Sequence, residues 1–191
     1  MNSKSIAFTV TFAAIAIVLS RIVVPAPYLP ILFYEIWEIP IVSLLFLVGI
    51  KPSFVALVLE TAVALAFFPS LSYPGLNPVF SLVACSSMLL GAYVGLKIVK
   101  EYSYVKNFGA LKMLVTSGLA IVFRILSMTA LIYATYVGLL GAPSEAIFAT
   151  FPLVGIFNLT LPLYTIPIGY LVAGIISRTQ NFDRVTLNSR S

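Results

Sequence analysis

The chain has 191 residues, of which 61% are hydrophobic and only 9% charged, with a mean hydropathy of +1.10 and a formal net charge of +5. A single soluble core of this size cannot hide so much apolar surface, so composition excludes a soluble globular domain and places the chain in a membrane. The sequence holds no His and one Cys, Cys85. That removes most zinc hydrolase designs, His-based acid–base catalysis, His-ligated haem, a disulfide and a thiolate metal cluster.

A membrane-spanning helix needs about 20 mostly apolar residues. Six apolar stretches predict an all-α integral membrane protein of six transmembrane helices: 5–24, 36–48, 52–68, 78–98, 113–137 and 151–176. They form one membrane domain over 1–177, followed by a polar cytoplasmic tail over 178–191 whose composition predicts disorder. The first stretch is too long for a signal-peptide core, and Val24-Pro25-Ala26-Pro27 offers no small-x-small cleavage site. Along it, Thr9, Ala13, Ala16 and Ser20 recur at i, i+4, i+7 and i+11, a single stripe of small residues. Such a stripe admits a closely packed helix, either one of this chain's own or one from a separate membrane subunit.

The segment 24–40 carries four prolines, four aromatics (Tyr28, Phe33, Tyr34 and Trp37) and two carboxylates, Glu35 and Glu38. Proline stiffens a backbone, and an aromatic belt at a membrane surface requires neither four prolines nor two acids. A stiff aromatic lid over a pocket is the expectation, with Tyr28, Phe33 and Trp37 in the lid and Tyr34 reaching the solute. The second and third stretches are short, and Gly49-Ile50-Lys51-Pro52 between them predicts a tight turn; a single kinked span is the alternative. Glu60 lies in the middle of the third stretch and Arg124 in the middle of the fifth, at similar predicted depth. A charge there costs about 2.5–3.5 kcal/mol on insertion scales, so both must face protein or water. They are expected to pair, as a structural ion pair or as solute contacts.

The second outer loop, 69–78, is uncharged and rich in turn formers, with Tyr73 and Asn77 as polar candidates. Cys85 in the fourth stretch reads as a small packing residue. A third outer loop runs from 138 to 150 and carries Glu145. In the last stretch Asn158, Thr160, Tyr164 and Thr165 cluster near the outer half, interrupted by Pro162 and Pro167. The prolines free backbone carbonyls where a span lines a cavity, and Asn pairs either with another helix or with a solute.

With the N-terminus in the cytoplasm, Lys4, Lys51, Lys97, Lys100, Lys106, Lys112, Arg178, Arg184 and Arg190 all fall on the inner side and Arg21 alone on the outer. The positive-inside rule then puts both termini in the cytoplasm. The net positive charge is explained by this topology and does not point to nucleic acid.

These residues resemble a known family, the substrate-binding S components of energy-coupling factor (ECF) vitamin transporters. The small-residue stripe on the first helix is similar to that family's Ala-x-x-x-Ala docking face. Glu38-Ile39-Pro40 and Gly49-Ile50-Lys51-Pro52 resemble its acid-hydrophobic-Pro entry to helix two and its G-x-x-P turn into helix three. Phe157-Asn158-Leu159 resembles the F-N-L of riboflavin-type members, which tend to carry a Lys two residues later where this chain has Leu161.

The resemblance implies a non-enzymatic protein, without cofactor or metal, in the plasma membrane of a prokaryote. It implies high-affinity binding of a vitamin or vitamin-like heteroaromatic solute from outside, riboflavin among the possibilities, and docking through Thr9, Ala13, Ala16 and Ser20 on a transmembrane coupling subunit driven by two ATPase subunits. Its implied solute contacts are Tyr34, Glu38, Glu60, Tyr73, Asn77, Arg124, Asn158, Thr160 and Tyr164. No G-x-x-x-x-G-K-[ST] loop is present, so ATP would be hydrolysed by the partners. Two other readings stay open: an intramembrane lipid-modifying enzyme using Glu35, Glu38 and Glu60, and a non-catalytic scaffold.

Overall fold

The computed structural model describes residues 3–67, 76–102 and 109–179. In chain order these form helix α1 (Ser3–Leu19), strands β1 (Val23–Ala26) and β2 (Leu29–Glu35), and helices α2 (Glu38–Leu47), α3 (Ile50–Phe67), α4 (Leu76–Tyr102), α5 (Gly109–Tyr133) and α6 (Ser144–Thr179). A π-helical turn at Ala134–Leu139 extends α5. The six helices match the six stretches read from the sequence, with boundaries that differ for physical reasons. Tyr73 and the tail 180–191 lie outside the described residues.

The first difference is at the C-terminal end of α1. The helix stops at Leu19 rather than Val24, and the expected loop is an antiparallel hairpin with Val23 opposite Glu35, Val24 opposite Tyr34 and Pro25 opposite Phe33. β-branched Ile22, Val23 and Val24 favour an extended chain, and Pro25 and Pro27 cannot continue a helix. The register slips between Pro25 and Ala26, where proline lacks the N–H a regular ladder would use.

The second is α2. Its 10 residues rise about 15 Å, half of the hydrocarbon thickness. It does not cross by itself; it is the most enclosed helix, with Glu38, Pro40, Ile41, Val42, Ser43, Leu44, Leu45 and Leu47 all buried. Gly49 then adopts φ 120°, a backbone conformation that favours glycine, and α3 starts at the next residue, so a turn and not a kink separates the two helices. Of the described helices, α3, α4, α5 and α6 are long and apolar enough to cross a membrane.

Close backbone contacts fix the frame. Gly91 and Gly95 lie one turn apart on α4, and a Cβ on Gly91 would stand 2.5 Å from the Leu119 carbonyl oxygen of α5. On Gly95 it would meet the Thr116 Cα at 2.8 Å. This small-x-x-x-small seam lets α4 and α5 run antiparallel in near contact. Gly169 of α6 does the same against Val42 and Ser43 of α2, where a Cβ would sit 2.7 Å from Val42 Cγ1. Cys85, Met88, Leu89 and Ala92 of α4 join Trp37, Ile41, Leu44 and Ile166 in one buried core.

The stripe on α1 turns inward. Thr9, Ala13 and Ala16 are 2%, 3% and 0% exposed, and α1 packs on α2 and α3. The sequence left two occupants for this groove; the chain's own helices fill it, which corrects the assignment of these residues to a separate docking partner. The third outer loop is also shorter than expected, because α6 begins at Ser144 and Glu145 sits in its first turn, where a carboxylate is favoured by the helix dipole.

Candidate solute-binding site

The polar residues on the hairpin side of the helices converge on Arg124. It sits 15 residues along α5 and is 3% exposed. Its Nη1 donates to both carboxylate oxygens of Glu38, at 2.8 and 2.9 Å, and lies 3.6 Å from Met88 Sδ. Its Nε donates to Asn158 Oδ1 at 3.1 Å. Asn158 Nδ2 donates in turn to the Val154 carbonyl at 2.9 Å, which fixes the orientation of the amide. Side chains of α2, α4 and α6 therefore meet the buried guanidinium of α5. Breaking such a pair from one side costs about 3–5 kcal/mol because the remaining charge is stranded.

The partner of Arg124 is thus Glu38 and not Glu60, a correction to the pairing expected from depth. Counting residues along a helix gives height but not azimuth, and it is Glu38 of α2 that reaches Arg124. Glu60, 4% exposed, lies instead near Ser20 and Arg21 at the C-terminal end of α1 and within electrostatic range of Glu35. Glu38 occupies the first turn of α2, where the helix dipole adds to the attraction of Arg124.

The hairpin closes over this cluster through tyrosines. Tyr28 and Tyr34 share a hydroxyl hydrogen bond of 2.6 Å, and Tyr34 continues to Thr160 of α6 at 3.0 Å. The Tyr34 ring lies 5.2 Å from that of Phe157, tilted by 44°. Tyr164 of α6 donates to the Glu35 carbonyl at 2.8 Å. Trp37 Nε1 donates to Glu35 Oε2. Desolvation pushes the Glu35 carboxyl up to about 7; the Trp37 hydrogen bond opposes this shift and nearby Glu38 adds to it.

The structure brings together most of the residues singled out by sequence. Tyr34, Glu38, Arg124, Asn158, Thr160 and Tyr164 form one connected constellation, and Glu60 stands beside it on α3. Trp37, expected in the lid, is 1% exposed and belongs to the buried core, whereas Phe33 is 41% exposed on the hairpin. Asn77 lies in the first turn of α4. Glu35 was noted in the sequence as one of two carboxylates of segment 24–40, but no helical spacing tied it to the cluster. The Gly91–Gly95 seam escaped the sequence reading, although small-x-x-x-small is legible there. Pro162 lacks the N–H that would bond the Asn158 carbonyl four residues back, so a backbone acceptor loses its usual helical donor at the site.

No protein-family model matches the chain, and no curated protein matches it by sequence. By structure it is similar to the S component of a bacterial ECF transporter, with a TM-score of 0.73 and 19% identity over 94% of this chain and 98% of that one. The fold is similar to that of an ECF S component; in this chain it is an all-α membrane fold that carries a two-stranded hairpin and a short, enclosed second helix.

Proposed function

We propose that the chain is the solute-binding S component of an ECF-type uptake system. It takes a vitamin-like heteroaromatic solute from the outer side and delivers it with a transmembrane coupling subunit and two ATPase subunits. The observation that carries this reading is the buried Glu38–Arg124–Asn158 network, closed over by a hairpin latched to α6 through Tyr34 and Tyr164. An intramembrane charge network at helix–helix contacts is the usual mark of a solute path. The protein performs no chemistry of its own and requires no cofactor.

In this reading the hairpin faces outward and both termini the cytoplasm of a prokaryotic cell. Lys4, Lys51, Lys97, Lys112 and Arg178, all near helix ends opposite the hairpin, then lie at the inner leaflet. Docking falls on the face of α1 that the chain leaves uncovered. There Ala7, Thr11 and Ala14, at i, i+4 and i+7, are exposed between the larger Val10, Ile15 and Val18. Ala14→Trp should abolish co-purification with a coupling subunit while leaving solute binding unchanged; loss of both together would contradict the assignment of this face. The direct test of function is mass spectrometry of the purified chain, with denaturing release of bound small molecules. One tightly held vitamin-like compound supports the reading. A chain that stays empty after exposure to a vitamin panel contradicts it.

A further inference from the structure

The helix ends away from the hairpin hold a second polar feature, separate from the Arg124 cluster. Phe46 of α2, Leu96 of α4, Lys112, Met113 and Thr116 of α5 and Tyr170 of α6 line a crevice where four helices meet. The Phe46 and Tyr170 rings stand edge to face along it, 5.3 Å apart at 83°. Thr116 is 1% exposed, and its Oγ1 has no hydrogen-bond partner among the described residues. A buried hydroxyl left unpaired is costly, so this one calls for an acceptor. The cavity volume is about 10 Å³, which holds about one water-sized group. No free solute fits; a single atom of a larger molecule lying outside can reach in.

Lys112 sets the charge. It is exposed in the first turn of α5, a turn without an acid, and among the described residues no carboxylate pairs with it. The helix dipole is positive at that end, so a cation there is a mismatch that an anion relieves. Thr116 lies four residues on, on the same helix face and about 6 Å further along the axis. A ligand that satisfies both carries an anionic group at the helix end, a neutral acceptor one turn deeper, and apolar substance beyond. A glycerophospholipid is built in that order, from phosphate to ester carbonyls to acyl chains. Basic pockets between helices at a membrane surface are suited to anionic headgroups.

We propose that this crevice is a binding site for an anionic phospholipid, with the phosphate on Lys112 and an ester carbonyl accepting from Thr116 Oγ1. The site is independent of the transported solute. In the orientation proposed above it faces the inner leaflet.

Native mass spectrometry of the detergent-purified chain, titrated with phosphatidylglycerol, phosphatidylcholine or glycerol 3-phosphate, tests this. One phosphatidylglycerol should bind in preference to phosphatidylcholine, and glycerol 3-phosphate, which lacks ester and chains, should not bind. Lys112→Gln should weaken phosphatidylglycerol about fivefold. Thr116→Val keeps shape and charge and should weaken it by about as much. Lys51→Gln is the control, because Lys51 is also exposed in a first turn, that of α3, but is not part of the crevice; it should leave the affinity unchanged. Lipid-free Thr116→Val should melt no lower than the native chain, since the hydroxyl has no partner in the protein to lose. Equal losses from Lys112→Gln and Lys51→Gln would reveal diffuse surface charge, and an unchanged affinity in Thr116→Val would leave the hydroxyl to a water. Either result overturns the site, as does a lower melting point of Thr116→Val, equal binding of phosphatidylcholine, or binding of glycerol 3-phosphate. The proposed uptake function stands in each case.

Discussion

The α4–α5 seam and the cluster around Arg124 are built on opposite principles. Along the seam, Gly91 and Gly95 remove side chains so that two backbones approach, and the contact is dispersion between close-packed atoms. Around Arg124, α2, α5 and α6 are held by a guanidinium, a carboxylate and an amide in defined orientations. The first contact tolerates no added volume but demands little chemically; the second tolerates volume poorly and demands complete pairing. A frame of the first kind positions a network of the second kind, and only the network has anything to offer a polar solute.

That contrast can be broken from either side. The largest effect should come from Arg124→Met, which strands Glu38 at a cost of about 3–5 kcal/mol. Adding Glu38→Leu should recover much of that stability without recovering solute binding, as thermal unfolding and ligand titration of the two variants would reveal. Next is Gly91→Leu, whose Cβ alone would press within 2.5 Å of the Leu119 carbonyl. Overpacking of a tight contact costs about 1–3 kcal/mol or more. Folded yield in detergent should fall sharply, and Gly91→Ala should fall less; equal yields for all three proteins would refute the seam.

The smallest effect is a pH slope. Burial pushes the Glu35 carboxyl up to about 7 from an ordinary value of 4.5. Between these values the folded chain holds a proton that the unfolded chain has released. Stability from this group is therefore full below about 4.5 and is lost as pH rises through about 7. Glu35→Gln should flatten that part of the melting-temperature profile, and an unchanged slope would show that another group governs it.

The sequence made the membrane class and the six helices legible because apolar run length is a strong signal, and it pointed to Tyr34, Glu38, Arg124, Asn158, Thr160 and Tyr164 because polar atoms in apolar runs are conspicuous. It misplaced what depends on rotation and packing. Glu60 and Arg124 share a predicted depth but face different neighbours, since it is Glu38, in the first turn of α2, that reaches Arg124. The stripe Thr9–Ala13–Ala16 was recognised as a groove, but only the packing of α1 on α2 and α3 decides which helix fills it. The hairpin was read as a loop because its prolines obscure strand pairing, although Val23 to Ala26 and Leu29 to Glu35 do pair.

The central claim is that the Arg124 network beneath the hairpin receives the solute. Trp37, the sole tryptophan, donates to Glu35 at that spot and reports on it directly. Its emission should be measured while the compound released from the purified protein is titrated back, in the native chain and in Arg124→Lys. The account predicts a saturable change at one solute per chain, weakened by about tenfold or more in the variant. Equal affinity in both proteins would place the solute elsewhere and contradict the account.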